Sequence, residues 1–173
     1  MQGAYHHLDM MIRKGLLPNH VTFTILIDGH IQNGKIDLAV NLFNKMNELG
    51  CVPDNIVYNT MIRGFCKAGR LLDALSVSNT MLKKGLSPSK ASYENLLQCF
   101  CANKLTVHAL KILEDMLAHE YIPCGFNLNW LVCILCEEKK CNEAYIVQTL
   151  KSRRRILSNK VSKGLLALQL GYC

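Results

Sequence analysis

The segment YNTMIRGFCKAGRLLDAL, residues 58–75, decides the fold, because the chain repeats it in outline on either side. Thirty-five residues upstream stands FTILIDGHIQNGKIDLAV (23–40), and thirty-five downstream YENLLQCFCANKLTVHAL (93–110). The same step places all four prolines, at Pro18, Pro53, Pro88 and Pro123. Ala4, Ala39, Ala74, Ala109 and Ala144 keep it, as do Met11, Met46, Met81 and Met116. So do the aromatics Phe23, Tyr58 and Tyr93 and the glycines Gly15, Gly50 and Gly85. A fixed period in this range marks a repeat architecture.

Each period carries two helical patterns. Phe23, Leu26, Ile27 and Ile31 recur at three- and four-residue steps, the stripe of an amphipathic helix. Asn33-Gly34-Lys35 then offers a turn, with Gly34 suited to a left-handed backbone. A second stripe runs through Ile36, Ala39, Leu42, Phe43 and Met46, ends near Gly50, and is stopped by Pro53. Two short helices cannot bury both stripes alone, so neighbouring hairpins must stack. The alanine at the matching point of each second helix is expected at a close helix–helix approach. In residues 90–124 the turn glycine is missing, with Asn103 offered in its place, and Glu120 stands where earlier units have glycine. Residues 125–159 have Leu128 for the aromatic and lack the closing proline.

Composition narrows the function. The chain has 173 residues, half of them apolar and 19% charged, enough for a continuous core and unlike a disordered segment. It contains no apolar run long enough to span a membrane. The net charge of +7 favours an anionic partner, most often nucleic acid. The nine cysteines include Cys133 and Cys136 as CxxC and Cys99 and Cys101 as CxC, followed by Cys141. No second pair lies at zinc spacing and no histidine pair follows, so they are expected to pack as small hydrophobes, without metal or disulfide, in a reducing compartment. Cys66 is expected to be buried and inert. His6, His7, His20, His30, His108 and His119 form no ligand set. No H-x-E precedes a P-C-x-x-C, and there is no phosphate loop or nucleophile elbow, so no enzyme activity and no cofactor are expected.

VTFTILIDGHIQNGKIDLAVNLFNKMNELGCVPD (21–54) and IVYNTMIRGFCKAGRLLDALSVSNTMLKKGLSPS (56–89) closely resemble the pentatricopeptide repeat. The resemblance is to the pure 35-residue class of plant organelle proteins that includes the fertility-restorer-like group. It is strongest over 20–89 and weak beyond 124. The W-x₂-L-G-x₂-Y pattern of the 34-residue tetratricopeptide repeat is not found.

The resemblance implies an all-α, right-handed superhelical α-solenoid of 35-residue helix-turn-helix repeats. Residues 1–19 are then the second helix of a truncated repeat, and 20–54, 55–89 and 90–124 are full repeats. Residues 125–159 are a degenerate repeat and 160–173 a C-terminal tail. The N-terminal end reads as a cut that leaves any targeting peptide outside this chain, and the other end as a cap. It also implies a single-stranded RNA partner, an organellar transcript in the mitochondrion or alternatively the chloroplast, with other RNA-processing proteins as further partners and no membrane.

Such repeats read one base each with two or three side chains. The resemblance pairs Thr24 with Asp54 in a guanine-like combination and Asn59 with Ser89 in a cytosine-like one. Glu94 with Cys124 matches no familiar combination and is expected to read weakly or not at all; Asn129 with Asn159 is a fourth, degenerate pair. Val21, Ile56 and Ala91 take the position that packs on base faces, against ordinary burial as the alternative. Lys67 is a candidate phosphate contact, and the cations Arg153, Arg154, Arg155, Lys160 and Lys163 could add non-specific attraction. The competing reading is a protein-interaction scaffold, or a truncated copy with little independent RNA binding.

Overall fold

The computed structural model describes Met10, residues 13–15 and residues 18–152, the side chains at 125, 126, 151 and 152 excepted. Expectations for Ala4, Met11, Asn159, the cations from Arg153 to Lys163 and the tail 160–173 lie outside the described residues. Eight helices follow one another among the described residues. They are α1 (His20–Gln32), α2 (Ile36–Glu48), α3 (Asn55–Lys67), α4 (Leu71–Lys83), α5 (Lys90–Ala102), α6 (Thr106–Ala118), α7 (Gly125–Glu137) and α8 (Cys141–Ser152). No strand occurs among them, so the architecture is all-α, built of helical hairpins. The chain divides into two compact units, Met1–Ser92 and Tyr93–Cys173.

In the first unit α1 packs on α2 and α3, and α3 on α4. The stripe read in the sequence is the buried one: Phe23, Leu26, Ile27 and Ile31 from α1, and Ala39, Leu42 and Met46 from α2. Full burial of each large apolar side chain contributes about 1.5–3 kcal/mol. Ala39 and Ala74 have no exposed surface, as their expected role at a close approach requires. Gly64 permits another such approach, since a β-carbon there would lie 2.5 Å from Ile31 Cδ1. The edge of Phe43 meets Tyr58 at 5.6 Å, and the Lys84 ammonium sits 5.5 Å over the same tyrosine ring.

The second unit repeats the design with other residues. Phe100 stacks on His108 at 5.4 Å between α5 and α6, and buried Tyr93 sets its hydroxyl 3.3 Å from His119 Nδ1. Leu128 fills the place of the earlier aromatics and is buried like them. Residues 125–152 therefore still form a hairpin, with α7 packed on α8.

One turn geometry recurs at the helix ends. Lys35 N donates to His30 O, Arg70 N to Phe65 O, Leu105 N to Phe100 O and Lys140 N to Leu135 O, each at 2.9 Å. The intervening residue is left-handed: Gly34, Gly69, Lys104 and Lys139 have φ of 69°, 70°, 54° and 60°. This is the bond pattern that satisfies orphan carbonyls at a helix C-terminus. It corrects the expectation for Asn103. The left-handed residue is Lys104, while Asn103 Nδ2 bonds back to Cys99 O at 2.9 Å. The turn is held by its hydrogen bonds, so the second unit keeps the geometry with lysine and with Glu120 (φ 62°) in place of glycine.

The cysteines also differ from expectation. Among the described cysteines Cys101 is buried, Cys51, Cys66, Cys99 and Cys124 are half-buried, and Cys133, Cys136 and Cys141 are exposed. Cys66 is thus not a core residue: it follows Phe65 on α3, one step around from the buried stripe. Burial pushes the Cys101 thiol up to about 12, so it stays protonated at neutral pH.

Candidate nucleic-acid interface

The residues named from the resemblance fall at two structural places. Val21, Thr24, Ile56, Asn59, Ala91 and Glu94 lie in the opening turns of α1, α3 and α5. Asp54, Ser89 and Cys124 immediately precede the helix that follows each hairpin. That second place is an N-cap. Asp54 Oδ1 accepts from the amides of Ile56 and Val57, both at 3.0 Å. Ser89 Oγ accepts from Ser92 N at 3.2 Å, whereas Cys124 makes no side-chain cap bond. A short polar oxygen satisfies orphan amides there and a thiol is a poor substitute.

The pairs are not equally joined. Asn59 and Ser89 meet directly: Ser89 N–H donates to Asn59 Oδ1 at 2.9 Å. Ser92 Oγ–H donates to the same Oδ1 at 2.7 Å, and Asn59 Nδ2 donates to Asn55 O at 2.6 Å. These partners fix the amide's orientation, because a backbone N–H only donates and a carbonyl only accepts. With both Oδ1 lone pairs used, Asn59 has one Nδ2–H left to offer, while Ser89 Oγ, engaged with Ser92, keeps a lone pair.

Thr24 and Asp54 are not joined in this way. The Thr24 hydroxyl donates to His20 O at 2.7 Å, and Asp54 Oδ2 lies 4.0 Å from His20 Nε2. Both remain half-buried, so each keeps an accessible edge. Glu94 and Cys124 are half-buried as well, and Glu94 is held through its main chain, whose carbonyl accepts from Asn127 Nδ2 at 3.4 Å. Asn129 is exposed on α7.

Val21 and Ile56 are 50% and 62% exposed, and Ala91 is exposed too, so ordinary burial does not account for them. Ile25 adds a further exposed apolar side chain one turn after Val21. Two cations, Arg63 and Lys67, stand in the later turns of α3. Arg63 pairs with Asp28 thirty-five residues earlier, and Lys67 Nζ donates to Gln32 Oε1 at 3.2 Å across the same interval. The two cations differ in what they leave free. Arg63 is neutralised by a carboxylate, whereas Lys67 rests on a neutral amide, is exposed, and keeps its charge for another anion.

Other charges tie hairpin turns together. A hydrogen bond to Asp73, with Asp37 adding to it, holds Arg70 above the usual arginine value. Hydrogen bonds from Lys140 and Thr106 hold Glu138 below the usual carboxylate range. Among the described residues no group of three or more His, Cys, Asp or Glu is placed to hold a metal ion. None of the described helices is long and apolar enough to cross a membrane.

Two residues of the site escaped sequence reasoning. Ser92 and Asn127 share one register with Thr22 and Val57, and the four residues differ, so no shared identity points to them. The capping role of Asp54 did have a signal, an Asp just before an apolar-periodic run.

Helical hairpins with a fixed period, polar residues in the opening turns of α1, α3 and α5, and polar caps at Asp54 and Ser89 define a modular helical-repeat protein. The PPR repeat family matches at residues 18–66 and 53–102, and the PPR repeat again at 91–121. The chain belongs to the PPR repeat family.

Among solved structures it is similar to the pentatricopeptide repeat protein PPR10 from maize, with 25% identity and a TM-score of 0.71 over 91% of this chain. The chain spans 23% of that protein's length. PPR10 in complex with an 18-nt psaJ RNA element gives a TM-score of 0.61 at 25% identity, covering 87% of this chain and 22% of that one. The PPR domain of Arabidopsis thaliana protein-only RNase P 1, in complex with tRNA, shares the fold. Its TM-score is 0.76 at 20% identity, over 96% of this chain and 86% of that one. No curated protein sequence matches.

Proposed function

We propose that this chain is a non-catalytic module that binds single-stranded RNA and reads one base per repeat, as part of organellar RNA processing, stability or translation. The observation that carries the reading is the joined Asn59–Ser89 pair, which offers one N–H donor beside one hydroxyl acceptor. An N–H aimed at the middle of a pyrimidine's Watson–Crick edge suits cytosine, whose N3 accepts and whose neighbouring N4 amine donates. It opposes uracil, whose N3 carries a proton. Val21, Ile56 and Ala91 supply exposed apolar surface against base faces, and Thr24 with Asp54 supplies a second, guanine-type reader. Lys67 attracts phosphate without regard to sequence. Glu94 with Cys124 reads weakly, since a carboxylate beside phosphates repels as readily as it accepts a bond.

That the maize relative is solved with an RNA element supports the reading. Two or three read bases bind weakly, so the module contributes to a longer array. The test is fluorescence anisotropy of the 173-residue chain with a labelled single-stranded RNA pool across a salt series. Affinity is expected to fall as salt rises and to resist competition by duplex RNA. Binding that is absent, or equal for duplex and single strand, would refute the proposal.

A further inference from the structure

We infer that Ser92, a residue of the following helix α5, is a positioning residue that sets which hydrogen-bonding group Asn59 presents to a base. The inference rests on the base-reading role proposed for Asn59 and adds a third determinant to that pair, contributed from the next repeat.

Ser92 is 3% exposed, so its hydroxyl is not itself a group for RNA to touch. A buried hydroxyl needs partners, and this one has two, with a third bond made by the main chain of the same residue. It donates to Asn59 Oδ1 at 2.7 Å, receives Ser89 Oγ at 3.2 Å, and its own amide donates to that Ser89 oxygen at 3.2 Å. Ser89, Ser92 and Asn59 form a closed circuit in which every donor has a direction. An asparagine amide is nearly symmetric in shape, so a flip exchanges a donor for an acceptor at no steric cost. Three bonds oppose that flip at Asn59: those from Ser89 N–H and Ser92 Oγ–H to Oδ1, and that from Nδ2 to Asn55 O. Ser92 supplies the shortest of the bonds to Oδ1 and occupies its second lone pair.

The same position in the other repeats does not do this. The Thr22 hydroxyl donates to the cap of its own helix, Asn19 Oδ1, at 3.2 Å, Val57 has no polar side-chain atom, and Asn127 reaches the main-chain oxygen of Glu94 rather than its carboxylate. The device is therefore specific to Asn59, and the base chosen by this repeat depends on a side chain that contacts no RNA.

Removing the hydroxyl leaves two bonds against the flip. The flipped amide, which presents an acceptor and so welcomes the N3 proton of uracil, becomes easier to reach by the worth of one hydrogen bond, about fivefold in population. The experiment measures dissociation constants of the 173-residue chain for oligocytidine and oligouridine decamers, with thermal melting monitored by circular dichroism as a check on folding. Ser92→Ala is expected to lower the cytidine-to-uridine preference about fivefold, and Ser92→Thr, which keeps the hydroxyl, to retain it. Asn59→Ala separates the two possible failures. If Asn59→Ala changes the preference but Ser92→Ala leaves it intact, Ser92 does not position the amide and the inference fails alone. If Asn59→Ala leaves the preference unchanged, or neither RNA binds, the base-reading assignment falls and this inference with it.

Discussion

Gly64 brings α3 so near α1 that a β-carbon at this position would stand 2.5 Å from Ile31 Cδ1. The contact lies between consecutive repeats, and so it sets how closely one hairpin seats on the next. Gly64→Ala is expected to lower stability by about 1–3 kcal/mol, the range for overpacking a filled core. Ile31→Val, which deletes the offending Cδ1, should recover part of that loss in the double variant. A double-mutant cycle by chemical denaturation measures the coupling.

The left-handed turns predict opposite outcomes in the two units. Gly69 has φ 70°, and a β-carbon added there would meet nothing within 4 Å, so Gly69→Ala carries a backbone cost alone. That cost is about 1 kcal/mol after the smaller entropy of the unfolded alanine chain is counted. Lys139 holds the same conformation (φ 60°) with an exposed side chain, so Lys139→Gly is expected to stabilise by about 0.5–1 kcal/mol. Thermal melts of the two variants should move in opposite directions.

Asp54 caps α3 and is proposed to read a base, and substitutions can separate the two roles. Asp54→Ala removes the acceptor of the Ile56 and Val57 amides and is expected to cost about 1 kcal/mol. Asp54→Ser keeps an oxygen that caps, and should melt close to the parent. Both should change the base selected by the Thr24 repeat, because both remove the carboxylate. Melting curves paired with selection from a randomised RNA pool distinguish the two roles.

Much of this molecule is written in its period. The prolines, alanines and methionines spaced by thirty-five located the hairpins, because a stacked repeat must put the same buried atoms in the same place each time. Lys104 shows where that logic stops. A left-handed turn is a property of its hydrogen bonds, so the glycine that announces it can be absent while the turn persists. Cys66 shows another limit: an apolar neighbourhood in sequence does not say which side of a helix a residue takes. Of the proposed base readers, Thr24, Asn59 and Asp54 were legible because they vary or recur at fixed places. Ser92 was not, since its importance lies in one hydrogen bond across thirty-three residues, and position alone carries no trace of it.

The central claim is that residues 59 and 89 together choose a base, and a paired exchange tests it most directly. In the chain carrying Asn59→Thr and Ser89→Asp, the pair becomes identical in type to Thr24 with Asp54. Selection from a randomised single-stranded RNA pool, followed by sequencing, should show a single position of the preferred motif turning from cytosine to guanine, with its neighbours unchanged. An unaltered motif in a variant that still folds and binds RNA would contradict the account.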